Sequence, residues 1–350
     1  METIEAPVFS VKQAIGKVVE GQHLSRAEAR MAMADIMDGL ATPAQIGSLM
    51  TALRMKGETV EEITGFAELM RAKANRVDTE CTELLDTCGT GGDGAKTFNI
   101  STASALVAAA GGIRVAKHGN RAMSSKSGSA DVLEALGVNI YLKEQQAAEC
   151  LSRIGICFLF AQTYHGSMKH AAVPRKELGI RTVFNLLGPL TNPAGADRQL
   201  LGLFDRSKTE LIAEVMKSLG VTRGLVVGSY DGLDEISVSA PTKVTELREG
   251  RVFTTEISPE DLGLSTHRLT DLTGGDAEEN AAIIRSVLDG ELSARRDVVL
   301  ANAGACFYVA GRAESLRGGV ELAAAIIDSG RASAKLAELV ACTREVSHVS

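Results

Sequence analysis

From Leu84 onward, short apolar runs ending near glycine alternate with helix-forming stretches, and this alternation constrains the fold more than any other feature of the chain. The runs are Leu84 to Cys88, Ile113 to Ala116, Ile156 to Phe160, Leu200 to Phe204 and Leu225 to Gly228. Strands separated by helices make βα units, and βα units close into a mainly parallel sheet covered by helices on its faces. Ligands of such sheets bind beyond the carboxyl ends of the strands, so the loops after these runs are where chemistry is expected.

Upstream, residues 9 to 75 carry apolar positions at helical spacing with no strand-like interruption. Ser25 with Glu28 and Thr59 with Glu62 fit capping boxes, and Thr42 precedes a proline suited to a first helical position. Gly39 and Gly57 stand where helices should stop. The expected class is therefore α/β: a mainly parallel central sheet flanked by helices, with a small all-helical N-terminal domain. We place that domain at residues 1–76, joined by part of 163–190, which breaks the βα alternation, and the α/β domain at 77–350. Between Ile236 and Ile257, the segments Ser-Val-Ser, Lys-Val-Thr-Glu-Leu and Arg-Val-Phe-Thr-Thr-Glu-Ile alternate as antiparallel edge strands do.

A length of 350 residues supports two such domains. The net charge of −7 argues against a polynucleotide-binding surface, which needs a broad excess of Lys and Arg. Six cysteines, Cys81, Cys88, Cys150, Cys157, Cys306 and Cys342, form neither a CxxC pair nor a secreted disulfide framework, so reduced thiols in the cytoplasm are expected. Met1 to Ser10 lacks the basic start and apolar core of a secretion signal, and no apolar stretch reaches the roughly 20 residues a bilayer needs.

Three clusters carry chemistry. Gly89-Thr90-Gly91-Gly92-Asp93-Gly94 follows the first predicted strand and leads through Thr97-Phe98-Asn99-Ile100-Ser101-Thr102 into a helix. Bare backbone N–H groups at a helix entry make a nest for anionic oxygens, although a glycine cluster alone is also what a simple turn requires. Lys117-His118-Gly119-Asn120-Arg121 follows the second strand and continues through Ser124, Ser125, Lys126, Ser127, Gly128 and Ser129. One such loop fits plain solvation; two, each after a strand of one sheet, fit an anion site better. The third cluster, Asp231-Gly232-Leu233-Asp234-Glu235, places adjacent carboxylates after a strand, tolerable in water or on a hard cation such as Mg²⁺. Asp234 and Glu235 are expected to face solvent. His165 and His170 are five residues apart, not the four of a helical metal pair, and Cys88 reads as a packed strand residue.

Taken in order, these clusters resemble the anthranilate phosphoribosyltransferases, within the fold shared by nucleoside phosphorylases and phosphoribosyltransferases. The likeness runs over nearly the whole chain and rests on Asp86 to Asp93, Lys117 to Arg121, Ser125 to Gly137 and Arg181 to Leu190. It implies transfer of the 5-phosphoribosyl group of phosphoribosyl diphosphate (PRPP) to the amino nitrogen of anthranilate, in tryptophan biosynthesis. The resemblance further implies that Gly89, Gly92, Asp93, Thr97, Asn99, Ile100, Ser101, Thr102, Lys117, His118, Gly119, Asn120, Arg121, Ala122, Met123, Ser124, Ser125 and Ser129 hold the donor. It implies that Ser101, Asp234 and Glu235 bind Mg²⁺, two ions per chain; that Gly89, Asn120 and Arg175 contact anthranilate; and that the chain is a homodimer through its N-terminal helices. Near the acceptor residues the chain departs from the family: His165-Gly166-Ser167-Met168-Lys169 stands where His-Pro-Ala-Met-Lys is usual, and Val173-Pro174 reverses the usual order.

Two other readings remain. A pyrimidine nucleoside phosphorylase shares the Lys-containing loop and the Ser-rich turn but has no need of the Asp234-Glu235 pair. A non-catalytic nucleic-acid-binding homologue is disfavoured by the acidic balance.

Overall fold

In a computed structural model of the full chain, residues 9–92, 94–122 and 126–347 are described. The chain divides into two compact units, Met1–Ala74 with His165–Thr191, and Asn75–Tyr164 with Asn192–Ser350.

The first unit is helical. Its helices Val11–Val19, Arg26–Met37, Pro43–Lys56 and Val60–Lys73 begin at Ser10, Ser25, Thr42 and Thr59, and the last three hydroxyls accept the N3 backbone N–H as expected. Gly39 and Gly57 take positive φ at helix ends, where a side chain would be strained. One carboxylate organises this unit: Glu62, fully buried, accepts from Leu24 N (2.9 Å), Thr59 N (2.9 Å) and Lys56 Nζ (3.0 Å). A buried charge with that many donors is compensated rather than costly. The unit is completed by the helices Lys169–Leu178, which contains Pro174, and Val183–Leu187.

The second unit is built on seven strands: β1 (Leu85–Gly89), β2 (Val115–Gly119), β3 (Ile156–Phe160), β4 (Arg198–Gly202), β5 (Arg223–Ser229), β6 (Thr242–Arg248) and β7 (Arg251–Ile257). Their order is β3-β2-β1-β4-β5-β6-β7; the first five are parallel, and β6 and β7 are antiparallel at one edge. This is the expected mainly parallel sheet flanked by helices. The Ser-Val-Ser segment is not a strand. Ser237 and Ser239 turn their hydroxyls onto Asp231 while Val238 enters the core, so the apolar alternation there comes from a turn.

Two apolar helices, Ile100–Ala110 and Ala294–Val309, are buried along almost their whole length and pack on each other. Glycine permits close contacts: Gly111, at the end of Ile100–Ala110, lies against the Phe307 ring, and Gly304 meets Gly319 of the helix Leu316–Asp328 backbone to backbone. Parallel strands buried on both faces need such a layer, and it fixes the helix starts against the strand ends.

Candidate functional site

The first two clusters emerge from the carboxyl ends of β1 and β2, neighbours in the sheet. β1 ends at Gly89, and the chain turns through Gly91, Gly92 and Gly94 at φ of 68°, 73° and 77° before entering Ile100–Ala110. Those values suit glycine, and successive residues of this kind leave N–H groups exposed. Asp93, Met123, Ser124 and Ser125 lie outside the described residues.

Lys117 is buried near the end of β2; its ammonium donates to Thr87 O (2.6 Å) and to Ser101 Oγ (3.2 Å) at the start of the helix Ile100–Ala110. A buried Lys holding a helix-entry hydroxyl places a fixed positive charge beside the glycine loop. Strand alternation sends His118 to the opposite face, the side on which Ala116 packs, so only its main chain is shared with Lys117. The His118 N–H donates to Asp86 Oδ1 (3.1 Å), and Asn192 Nδ2 donates to Asp86 Oδ2 (2.8 Å). Burial pushes Asp86 up to about 6, against the downward pull of Asn192 and Lys117. Cys88 is held well above the ordinary thiol range by burial and is inert in the strand.

The second loop is tied to itself. Asp131 Oδ2 accepts Ala122 N (3.0 Å) and Gly128 N (2.8 Å), while the Asn120 carbonyl accepts Ala130 N (3.2 Å) and Ser129 Oγ (3.2 Å). Gly128 has no room for a side chain, since a Cβ would meet Arg121 C at 2.5 Å and Asn120 O at 2.6 Å. Arg121 pairs with Asp131 and Glu134 (2.7 Å each) and bonds Tyr141 Oη (2.7 Å), over the Phe160 ring. The Asn120 amide oxygen accepts Arg121 N (2.8 Å). Thr97 bridges Thr273, and the Thr102 hydroxyl is buried without a partner among the described residues.

Asp234 and Glu235 correct one expectation: both are buried, not solvent-facing. The turn that carries them rests on the bare ends of β1 and β4, where Gly89 and Gly202 are register partners. A Cβ on either glycine would collide with Asp234. Asp234 Oδ2 accepts Gly91 N at 2.7 Å, joining the carboxylate pair to the glycine loop. On the other side Asn302, fully buried in Ala294–Val309, accepts Ile236 N (3.0 Å) and donates to Ile236 O (2.9 Å) and Val298 O (2.9 Å). Neither Gly202 nor Asn302 is marked by motif. The available signal for Asn302 is its position as the lone amide inside an apolar helix.

Two carboxylates and a hydroxyl are hard oxygen donors. Among the described residues no three His, Cys, Asp or Glu side chains converge as a metal cage. Such a partial donor set fits a Mg²⁺ ion that completes its shell with diphosphate oxygens and water.

The chain matches the family described as "Glycosyl transferase family, a/b domain" over residues 81–333 and "Glycosyl transferase family, helical bundle domain" over residues 12–74. It is 56% identical over 333 residues to the anthranilate phosphoribosyltransferase of Acetivibrio thermocellus, covering 95% of this chain and 96% of that protein. The chain belongs to the anthranilate phosphoribosyltransferase family. Among solved structures it resembles the enzyme of Thermus thermophilus, with a TM-score of 0.90, 45% identity, and coverage of 95% of this chain and 99% of that one. It also resembles the family member of Saccharomyces cerevisiae solved in complex with PRPP and Mg, with a TM-score of 0.88, 27% identity, and coverage of 96% and 98%. The same yeast enzyme has been solved with 4-fluoroanthranilate, at a TM-score of 0.87, 26% identity and the same coverage.

The remaining family positions lie in the helical unit. Arg175, on Lys169–Leu178, is partly buried with its guanidinium 5.4 Å from the centroid of the Phe184 ring, and burial lowers its pKa. His165 is buried and is pushed down to about 4 by desolvation, against the upward pull of the Thr191 backbone. His170 packs on Gly39, where a Cβ would meet its ring at 2.8 Å. The departures from the family pattern leave Pro174 buried within a continuous helix.

Proposed function

We propose that the protein transfers the 5-phosphoribosyl group of PRPP to the amino group of anthranilate, releasing diphosphate, as a step of tryptophan biosynthesis. The observation that carries this reading is the meeting of the glycine loop and the carboxylate turn through Gly91 N and Asp234, beside a loop anchored by buried Lys117. As the glycosidic bond breaks, the ribose becomes oxocarbenium-like and the diphosphate gains negative charge. The Gly89, Gly92 and Asp93 loop, the Thr97 and Asn99 to Thr102 helix entry, and the Lys117 to Ser125 loop with Ser129 hold the donor. Donors aimed at developing charge in a dry site lower the barrier without reorganising. An aniline nitrogen is uncharged at neutral pH, so it attacks without a strong base.

Ser101, Asp234 and Glu235 would hold Mg²⁺, two ions per chain, which when bound neutralises the departing diphosphate. Gly89, Asn120 and Arg175 would contact anthranilate, Arg175 pairing with its carboxylate. Residues 77–350 would act as the donor-binding domain and residues 1–76, with part of 163–190, as the helical one. We further assign the protein to the cytoplasm, and no helix among the described residues is long and apolar enough to cross a membrane. The helical unit supports a homodimer: Val19 and Met55 are exposed at the rim of a groove of about 1240 Å³ that Val18, Pro43 and Leu178 also line. The deciding experiment is turnover with PRPP, Mg²⁺ and anthranilate, followed by loss of anthranilate fluorescence; no Mg²⁺-dependent loss would overturn the reading.

A further inference from the structure

The glycine loop has a support that no motif above includes. The segment before the helix Ala277–Leu288 runs beside the entry to Ile100–Ala110: Phe98 N donates to Leu272 O (3.3 Å), and Gly274 N to Lys96 O (2.9 Å). Gly274 presses on the Phe98 backbone, where a Cβ would lie 2.6 Å from Phe98 Cα. Asp276 and Glu279 form a capping box that sets the first turn of the helix and leaves Asn280 buried in it.

From Asn280 a chain of amides runs back to the second loop. Gly275 N donates to Asn280 Oδ1 (2.8 Å), Asn280 Nδ2 donates to Asn99 Oδ1 (3.0 Å), and Asn99 Nδ2 donates to Ser127 O (3.2 Å). One end of this chain is a backbone N–H, which can only donate, and the other is a carbonyl, which can only accept. Both side-chain amides therefore have one orientation each, head to tail.

We propose that Asn280 is a positioning residue for donor binding: it sets the orientation of the Asn99 amide, and through it ties the glycine loop to the serine loop. The inference rests on the reading of Asn99 as part of the donor site. Its signature is polarity, not volume. In Asn280→Asp one oxygen still accepts Gly275 N, but the other faces Asn99 Oδ1, and lone pair meets lone pair. If the Asn99 amide turns over to relieve this, its oxygen faces the Ser127 carbonyl and the tie is lost. Asn280→Ala removes the donor without reversing it.

The test is steady-state kinetics of the full-length enzyme, with unfolding temperature as a check on folding. Losing a hydrogen bond and opposing two acceptors should raise the donor KM by about tenfold in Asn280→Asp, and by a smaller factor of roughly three in Asn280→Ala. The KM for anthranilate should hardly change. In an Asn99→Ala background either substitution should add less than about twofold, since the coupled partner is gone. An isosteric Asp that is milder than Ala, or an effect that persists undiminished without Asn99, overturns the proposal; the second outcome marks a general structural or charge effect. If Asn280→Asp does not fold, the same cycle is run with Asn280→Ala and decides on the second criterion. A wild-type donor KM in Asn99→Ala alone overturns the donor-loop reading itself, and this inference with it.

Discussion

Replacing Gly202 by Ala should disable the proposed site by displacing the main chain of the turn that carries Asp234 and Glu235. Gly202 is the last residue of β4, paired in register with Gly89 and held by Thr90 N donating to its carbonyl at 2.9 Å. A Cβ there would lie 2.5 Å from the Asp234 carbonyl carbon and closer still to its oxygen. Carbon atoms prefer about 3.5 Å or more and the carbonyl oxygen lies nearer than the carbon, so the Asp234 peptide must retreat by at least about 1 Å. The obstacle is main chain, which has no rotamer to escape into. The 2.7 Å bond from Gly91 N to Asp234 Oδ2 would not survive that shift.

A misplacement of about 1 Å near a reacting centre costs on the order of 10²-fold in rate. That factor is about 2.7 kcal/mol of barrier. Overpacking should also destabilise the fold by about 1 to 3 kcal/mol. The assay is initial rate against Mg²⁺ at saturating anthranilate, with unfolding temperature measured in parallel. We expect kcat/KM for the donor to fall about a hundredfold, and the Mg²⁺ needed for half-maximal rate to rise roughly tenfold or more. Gly16→Ala, in a helix with nothing within 4 Å of the added Cβ, is the control and should change neither. A folded Gly202→Ala enzyme with the wild-type Mg²⁺ response would refute the claim that the β1 and β4 glycines seat the metal-binding turn.

Removing both carboxylates, Asp234→Ala with Glu235→Ala, should nearly abolish turnover at low Mg²⁺ and also lower the unfolding temperature, because Gly91 N loses its acceptor; unchanged Mg²⁺ dependence would sink the assignment. Arg175→Ala should raise the anthranilate KM by roughly ten- to a hundredfold, the scale of a charge-assisted pair at about 1.5 to 3 kcal/mol, with donor KM near normal; varying each substrate in turn checks it. Asp86 titrates in the folded chain near 6, above its ordinary 3.8, so its contribution to stability is present below about 3.8 and is lost as pH rises through 6. Chemical denaturation from pH 4 to 6 should show that slope flattened in Asp86→Asn relative to the wild type. Met55→Glu, at a residue 84% exposed on the helical unit, should shift sedimentation toward monomer if that face joins two copies.

The sheet, the edge hairpin and the helix caps were legible because each has a local signature: period-two alternation, a glycine at a strand end, a hydroxyl three residues before Glu or Gln. Errors fell where a side chain does something unusual for its type. Lys117 and His118 read as loop, yet they belong to β2, since the ammonium is satisfied by Thr87 O and Ser101 Oγ. The start of β2 moves from Ile113 to Val115 because Gly112, at φ of 83°, and the bond from Ile113 N to Ala108 O still belong to the preceding helix end. Asp234 and Glu235 read as exposed because carboxylates usually are. Their burial depends on Gly89 and Gly202, more than a hundred residues apart, being opposite each other in register, and a single chain read from end to end carries no sign of that pairing.

The supporting amides were illegible for a further reason, which bears on how the site works. Asn280 and Asn302 sit in helices whose other inward positions are apolar apart from Arg296, and a lone Asn there has no pattern of its own. Both are uncharged, and both spend their donors and acceptors on groups that the sheet and loops leave unpaired. A carboxylate in either place would add negative charge behind the proposed diphosphate site. An ammonium, which cannot accept, would leave Gly275 N or Ile236 N without the oxygen it donates to. A neutral amide orients a loop without altering the field, so on the proposed reading the charge that would act on the donor stays where it can be aimed: on Lys117, on the glycine-loop N–H groups other than those of Thr90 and Gly91, which Gly202 O and Asp234 take, and on the cation that Asp234 and Glu235 would hold.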